Sequence, residues 1–294
     1  MTTAEIAQSQ SAVRERVPVG GRFGWLMTVY RYALVALLAA VFVFPFVVML
    51  TTAFKASSEI FSAPPELLPR TWTLEHFYAA LVQIPFWRFL FNTIVISGLS
   101  VLGTVLVSPL VAYSLAKLRW RGRNLLFIMV LATMMLPPQV TLIPIYMMWN
   151  KVGVTGTILP LIIPAFLGTP FFIFLIRQFL LSVPDELIEA AKVDGASELR
   201  IYWSVVLPIA RPALITSAVF QFVWAWTDFL YPLIYLNDEE SYTLSIGLYS
   251  FLGQHGVQWG PLMAACVMFT LPAFLIFLVF QRYFIGGIAT GALK

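Results

Sequence analysis

The side chains that could do covalent or metal chemistry are few in this chain and lie far apart. There is one cysteine, Cys266, and there are two histidines, His76 and His255. One thiol excludes a disulfide framework and every Cys-rich metal site, and two isolated histidines leave little room for His-based metal chemistry. The sequence also lacks a Gly-rich phosphate loop with its lysine, clustered carboxylates and a nucleophile triad. We therefore expect no catalytic residue, no metal site and no cofactor bound by this chain.

The composition explains why such residues are rare. Of the 294 residues, 60% are hydrophobic and only 11% are charged, and the mean hydropathy is +0.86. A soluble domain carries about 25% charged residues, and one of this length has too little interior to hide so much apolar surface. The composition excludes a soluble globular enzyme, a nucleic-acid-binding domain and a disordered chain, and it indicates a membrane protein.

Six long apolar segments could each cross a bilayer, since a spanning helix needs about 20 mostly apolar residues. They are residues 32–54, 89–116, 124–150, 152–176, 212–237 and 261–281. The expected fold class is an all-α polytopic membrane protein with six transmembrane helices. The expected domains are a cytoplasmic tail over 1–31, a six-helix transmembrane domain over 32–283 and a cytoplasmic tail over 284–294.

The positive charges predict which side of the membrane each connection faces. Fourteen of the 18 Lys and Arg residues lie in 1–31, 117–123, 177–211 and the segment from Arg282 to the end. Lys and Arg concentrate in cytoplasmic connections. We therefore expect both termini in the cytoplasm and a multi-pass location in the cytoplasmic (inner) membrane.

The segment 181–207 lies between two expected spans and contains two short predicted helices. Asp185 is the predicted N-cap of the first helix, and Asp194-Gly195 ends it, because Gly adopts a left-handed conformation at little cost. Ser197 can cap a second helix that leads to Leu207-Pro208. The bilayer needs no such element, so we expect it to bind a soluble partner.

The spacing in this segment resembles the cytoplasmic "EAA" signature of ABC importer permeases. Glu189-Ala190-Ala191 is followed after three residues by Gly195, after nine more by Val205, where the family usually has Ile, and then by Leu207-Pro208. The resemblance covers roughly residues 70–294 and points to the carbohydrate-uptake branch, with its maltose-type second permease. Supporting stretches are Leu136–Pro144, Phe174–Phe179, Gln281–Phe284 and Trp226–Phe229, where Thr227 replaces a frequent Asn.

This resemblance implies the type I ABC importer architecture and a larger assembly. The implied partners are a second permease subunit in a heterodimer, two ATP-binding subunits that carry ATP and Mg, an extracytoplasmic substrate-binding protein and membrane lipid, with no nucleic acid. Residues 181–207, called the coupling segment below, would sit in a cleft of an ATPase subunit. The residues implied in coupling are Glu189, Ala190, Ala191, Asp194, Gly195, Leu207 and Pro208.

Some residues within the spans could line a translocation path. Asp228 is the one charge inside an expected span, where a charge costs at least about 2.5 kcal/mol and usually faces a bundle interior or a watery cavity. A structural hydrogen bond, or a position near the outer end of the span, explains it equally well. The Pro137-Pro138-Gln139 trio predicts a hinge with free backbone groups. The path candidates are Pro137, Gln139, Trp224, Trp226, Asp228 and Tyr231, with packing or lipid contact as the alternative for most aromatic residues.

The connection over residues 237–260 is longer than a link between adjacent helices requires, and it is apolar and aromatic. Two interpretations stay open: a lid folded back on its own permease, or a contact with the sugar-binding protein, as in the resembling family. The candidate contact residues are Tyr242, Tyr249 and Gln254.

Two alternatives to a sugar importer subunit follow from the same residues. A permease for glycerol phosphate, polyamine or peptide would share the coupling segment. A stand-alone secondary transporter would need an intramembrane ion or proton relay, for which only Asp228 is available, and it would not need residues 185–207.

Overall fold

The computed structural model describes residues 22–64, 66–253 and 256–291, with side chains from residue 25 to residue 282. The predicted all-α class is confirmed. The helices are α1 (Arg22–Phe54), α2 (Glu75–Gln83), α3 (Phe86–Ala116), α4 (Arg123–Met134), α5 (Pro138–Val152), α6 (Leu159–Leu167), α7 (Pro170–Leu181), α8 (Glu186–Val193), α9 (Glu198–Ile201), α10 (Leu207–Ile209), α11 (Arg211–Thr227), α12 (Leu230–Tyr235), α13 (Leu244–Ser250) and α14 (Trp259–Gly291). The strands β1 (Leu252–Gly253) and β2 (Gly256–Val257) form a small antiparallel hairpin.

Among the described residues, four helices are long and apolar enough to cross a membrane alone. They are Trp25–Phe54, Phe86–Ala116, Leu159–Leu181 and Trp259–Arg282. Two bent helix pairs raise the number to six if each pair is one span: α4 with α5, bent by 102°, and Glu198–Ile209 with α11, bent by 75°. The predicted number of six is the upper end of this range.

The chain divides into two compact units between Thr51 and Thr52. In the first unit, α1 begins at Arg22, within the segment expected to be a tail. In the second unit, α14 continues to Gly291 and so includes most of the expected C-terminal tail. The rest of the two expected tails, 1–21 and 292–294, lies outside the described residues.

The fourth span differs from its expected bounds, because the window 152–176 was defined by the absence of charge. The helical span covers Leu159–Leu181 and includes Arg177. The guanidinium of Arg177 lies 3.8 Å from the centre of the Phe127 ring, and its Nε donates to the Leu115 carbonyl at 3.3 Å. These contacts satisfy the cation near the helix end, so the charge does not terminate the helix.

Helix α3 is the centre of the second unit, where it packs against α6, α7 and α11. Its middle carries small buried residues that let neighbouring helices approach closely. At Gly103, for example, an added Cβ would lie 2.7 Å from the Phe166 ring of α6. Four other small buried residues in the middle of α3 are Ser97, Ser100, Thr104 and Ser108.

The two ends of α3 belong to two different apolar clusters. The cluster at its N-terminal end is formed by Ala53, Ala80, Ile84, Phe86, Phe89, Leu244, Phe251, Ala264 and Ala265. The cluster at its C-terminal end is formed by Ala112, Tyr113, Ala116, Ile176, Leu180, Ile188, Ile201, Tyr202, Val206, Ala210 and Ala213. The coupling segment belongs to the second cluster, so α3 positions that segment directly.

Candidate functional site

The coupling segment folds as the predicted pair of short helices joined by a sharp turn. Helix α8 ends at Val193, Gly195 adopts φ +78°, and α9 begins at Glu198. A Cβ added to Gly195 would meet no atom within 4 Å, so the constraint at this position is backbone conformation alone. Ser197 caps α9 as predicted, because its hydroxyl accepts the Arg200 N–H at 3.4 Å.

The predicted capping role of Asp185 is wrong. Asp185 occupies the N-cap position of α8, but its side chain makes no capping hydrogen bond. Its carboxylate instead pairs with the ammonium of Lys117 at 2.5 Å. The hydrogen bond and charge of Lys117 hold the pKa of Asp185 below its ordinary value, so Asp185 is ionised at neutral pH.

One face of the coupling segment is buried against the rest of the chain. Ile188 of α8 and Ile201 of α9 pack in the same cluster as Ala112 and Ala116 of α3. Of the predicted coupling residues, Ala191 and Leu207 are partly buried against this cluster. This packing fixes which face of the hairpin points away from the helices.

Outside this buried face, the coupling segment exposes several large apolar side chains. Val193 is 88% exposed, and Leu187, Leu199 and Trp203 are exposed as well. The predicted residues Glu189, Ala190, Asp194, Gly195 and Pro208 are also exposed. Sequence reasoning missed these four apolar residues. The available signal was that α8 and α9 carry large apolar side chains at positions that one buried stripe does not include. Exposed apolar groups of this kind mark interaction surfaces.

A cavity of 550 Å³ separates the coupling segment from the connection after α3. Both charge signs are present in its walls. The lining residues are Lys117, Leu118, Arg119, Trp120, Asp185, Ile188, Glu189, Lys192 and Glu198. Within the described residues, no group of three or more His, Cys, Asp or Glu is placed to hold a metal ion.

The proline trio lies at the bend between α4 and α5. Pro137 is extended with ψ 131°, and Pro138 begins α5. A residue before proline avoids the helical region, and proline itself lacks an N–H, so the two prolines together break the helix. Pro137 and Gln139 are exposed at this break, in agreement with the predicted interruption of the third span.

Asp228 interrupts the fifth span, between α11 and α12. Its carboxylate accepts the Tyr231 N–H at 3.3 Å, and its carbonyl accepts the Ser245 hydroxyl at 2.6 Å. The side chain is half-buried. The carboxylate bond is local and the bond to Ser245 uses the backbone carbonyl, so both the structural role and the role in the path stay open for the Asp228 side chain.

The aromatic path candidates separate into two groups. Trp226 is 2% exposed, and its Nε1 donates to the Phe269 carbonyl of α14 at 2.9 Å, so it packs α11 against α14. Trp224 is 45% exposed on the other side of α11, with its ring 5.1 Å from those of Phe171 and Phe172 of α7. Trp226 thus fills a helix interface, whereas Trp224 is partly exposed beside α7.

Tyr231 belongs to a second group of rings. It stacks on Tyr235 at 6.1 Å, and Tyr235 stacks on Tyr146 of α5 at 6.1 Å. A cavity of 290 Å³ lies beside Tyr146. The structure therefore brings Tyr231 together with Asp228 and, through Tyr235, with the helix that follows the proline bend.

The 237–260 connection is folded onto its own chain. The N–H of Leu244 donates to the Thr93 hydroxyl of α3 at 2.8 Å, and Asn92 donates to the Tyr242 carbonyl at 2.9 Å. Tyr242 packs 6.1 Å from Phe89, whereas Tyr249 is 55% exposed beside Phe229. Gln254 lies outside the described residues. Tyr249 is therefore the more accessible of the two described contact candidates.

Comparison with known proteins identifies the family. Residues 105–289 match the binding-protein-dependent transport system inner membrane component family. The arabinooligosaccharides transport system permease protein AraQ of Halalkalibacterium halodurans is 33% identical, over 92% of this chain and 96% of that protein. The sn-glycerol-3-phosphate transport system permease protein UgpE of Escherichia coli O1:K1 is 32% identical, over 90% and 96%.

A solved structure shares the fold. It is that of a bacterial ABC transporter involved in the import of the acidic polysaccharide alginate, with a TM-score of 0.81 and 23% identity over 91% of this chain and 100% of that chain. Together with the broken apolar spans and the exposed coupling segment, these similarities define a transport subunit and not a catalytic one. The chain belongs to the family of binding-protein-dependent transport system inner membrane components, the permease subunits of ABC importers.

Proposed function

We propose that this chain is one of two permease subunits in an ATP-driven importer of a sugar or oligosaccharide, and that its coupling segment docks on an ATPase subunit. The observation that supports the docking most strongly is the exposure of four large apolar side chains of this segment, Leu187, Val193, Leu199 and Trp203. A segment with these exposed side chains is suited to a groove in a soluble partner, which would remove them from water.

The positive charges support a cytoplasmic position for that segment. Lys117, Arg119, Arg121 and Arg123 lie on the connection beside the coupling segment, and Lys and Arg concentrate on the cytoplasmic side of membrane proteins. ATP and Mg would be held by the ATPase subunits, and this chain would supply their membrane anchor.

The chemistry near the candidate path favours a neutral sugar. Trp224 and Tyr231 offer aromatic faces suited to sugar C–H groups, and Asp228, between α11 and α12, carries the one carboxylate of residues 211–237. A phosphate ester would be repelled by that carboxylate. The relative named for arabinooligosaccharides supports the sugar assignment. The relative named for sn-glycerol 3-phosphate makes that phosphate ester the second candidate.

The 237–260 connection would face the substrate-binding protein on the opposite side of the membrane. Its exposed Tyr249 supports this role, because tyrosine gives a large contact area at a low entropic cost. The packing of Leu244 and Tyr242 on α3 would transmit such a contact to the central helix.

A substrate panel tests the proposal. The complete transporter is reconstituted with its partner permease, ATPase subunits and binding protein, and ATP hydrolysis is measured with each solute. We expect stimulation by the binding protein loaded with an oligosaccharide and none with sn-glycerol 3-phosphate. Stimulation by the phosphate ester alone would overturn the sugar assignment. Failure of the ATPase subunits to co-purify with this chain would overturn the docking role.

A further inference from the structure

Two side chains at the C-terminal end of α3 hold the coupling segment at two separate points. Tyr113 lies in the last turn of α3 and Lys117, four residues on, is its C-cap residue, so the two lie about one helical turn apart on the same side. The ammonium of Lys117 donates to the Val183 carbonyl at 2.6 Å and to the Asp185 carboxylate at 2.5 Å. Lys117 thus holds the residues directly before α8.

Tyr113 holds the other half of the segment. Its hydroxyl donates to one carboxylate oxygen of Glu198, at the start of α9, at 2.8 Å. The second oxygen of Glu198 pairs with the ammonium of Lys192 in α8 at 2.6 Å. This pair closes the hairpin across the Gly195 turn, so the two helices and α3 form one connected polar network.

The charges make the network persistent at neutral pH. Hydrogen bonds from Lys192 and then from Tyr113 hold the pKa of Glu198 below its ordinary value, as Lys117 does for Asp185. The side chain of Lys117 is only 5% exposed. Removal of the Asp185 carboxylate alone would leave this buried cation without its partner, which is strongly unfavourable.

A displacement of the hairpin would be transmitted less directly through its two chain connections than through its contacts with α3. On one side, Ser182–Asp185 is a non-helical turn between α7 and α8. On the other side, the π-helical turn Tyr202–Val206 precedes a 75° bend before α11. Displacement of the hairpin would be absorbed at either junction, whereas the contacts with α3 connect it to a continuous 31-residue helix.

We propose that Tyr113 and Lys117 are positioning residues that clamp the coupling segment to α3, so that a displacement imposed by the ATPase subunit moves α3. This inference rests on the proposed docking function. Helix α3 contacts α6, α7 and α11 and, through Thr93 near its other end, the backbone of Leu244. Movement of α3 therefore reaches both the candidate path and the 237–260 connection.

The test measures sugar uptake per ATP hydrolysed in the complete reconstituted transporter. Tyr113→Phe removes only the hydroxyl that binds Glu198. We expect the ratio to fall about threefold or more, the range seen when a coupling contact is lost, while the ATPase subunits still co-purify. Tyr202→Phe is the matched control: its ring is buried 5.7 Å from that of Tyr113, but its hydroxyl has no hydrogen-bond partner within the described ranges. This control should keep the wild-type ratio.

A charge exchange supplies a second, independent readout. Lys117→Glu should lower the ratio, and the double variant Lys117→Glu/Asp185→Lys, which restores an oppositely charged pair, should recover about half of it or more. A wild-type ratio in both Tyr113→Phe and Lys117→Glu would overturn the inference, as would a double variant no better than Lys117→Glu. Failure of the proposed docking function would give a different result: the unaltered chain itself would not bind the ATPase subunits.

Discussion

At the scale of single residues, Gly195 tests whether the backbone conformation of the turn between α8 and α9 is required for transport. Its φ of +78° is unfavourable for a residue with a side chain, by roughly 1–2 kcal/mol, although the space around it is open. We expect Gly195→Val to abolish uptake while membrane insertion is retained, because the turn between α8 and α9 would be displaced. Uptake assays and membrane fractionation of the same cells measure both quantities.

Gly153 offers a control of the same backbone geometry. It also has φ +78° with nothing within 4 Å of an added Cβ, but it lies at the end of α5, away from the coupling segment. Gly153→Val introduces the same strain and should leave the coupling of uptake to ATP hydrolysis intact. Equal loss of uptake in the two variants would show that strain, and not the coupling turn, explains the effect of Gly195→Val.

Val193 tests the role of the exposed apolar side chains. Because it is 88% exposed, Val193→Asp should change the free energy of unfolding by no more than about 0.5 kcal/mol. If the side chain is buried by the ATPase subunit, the dissociation constant of that subunit should rise about tenfold, whereas Val193→Ile should keep it. Titration of ATPase subunits onto the permease pair in nanodiscs measures this constant. An unchanged value for Val193→Asp would place the docking surface elsewhere.

At the scale of elements, the bend between α4 and α5 depends on two prolines. Pro137→Ala/Pro138→Ala restores an N–H and removes the restriction on the preceding residues, so the helix should straighten from its 102° bend. Spin labels at Ile128 and Met147, in a Cys266→Ser background, should move apart, and uptake should fall. Pro144→Ala, inside α5, is the control and should leave the label distance unchanged. An unchanged distance in the double variant would mean that packing, and not proline, maintains the bend.

The elements differ in how far their sequence determines them. The coupling hairpin was predictable because Gly195 and Ser197 act through local backbone chemistry, and both act as expected. The missing cap at Asp185 was not predictable, because its carboxylate binds the ammonium of Lys117, which lies 68 positions earlier in the chain. The bounds of the fourth span were also missed, since Arg177 stays inside the helix through contacts with other helices.

In the candidate site, too, the features set by local sequence were predictable and those set by distant residues were not. The spacing from Glu189 to Pro208 identified the segment, but the exposure of the apolar side chains of Val193 and Trp203 did not emerge from the sequence. Which face of a short amphipathic hairpin is exposed depends on the helix that covers the other face. In this chain that helix is α3, and its Tyr113 and Lys117 are distant in sequence from the residues that they hold.

At the scale of the whole molecule, the charge distribution predicts the orientation in the membrane. In a Cys266→Ser background, Arg200→Cys in the coupling segment should react with a membrane-impermeant maleimide only after cells are permeabilised. Lys151→Cys, at the end of α5, should react in intact cells. Both positions are exposed, so accessibility within the protein does not limit either reaction. Labelling of Arg200→Cys in intact cells would reverse the orientation.

The central claim is that this chain joins ATP hydrolysis on one side of the membrane to sugar entry from the other. The most direct measurement is uptake of a radiolabelled oligosaccharide into proteoliposomes that hold the complete transporter, with ATP in the lumen and the loaded binding protein outside. We predict concentrative uptake that requires ATP, the ATPase subunits, the binding protein and this chain together. Concentrative uptake at an equal rate from proteoliposomes without the ATPase subunits would contradict the account, because it would make the chain a stand-alone transporter.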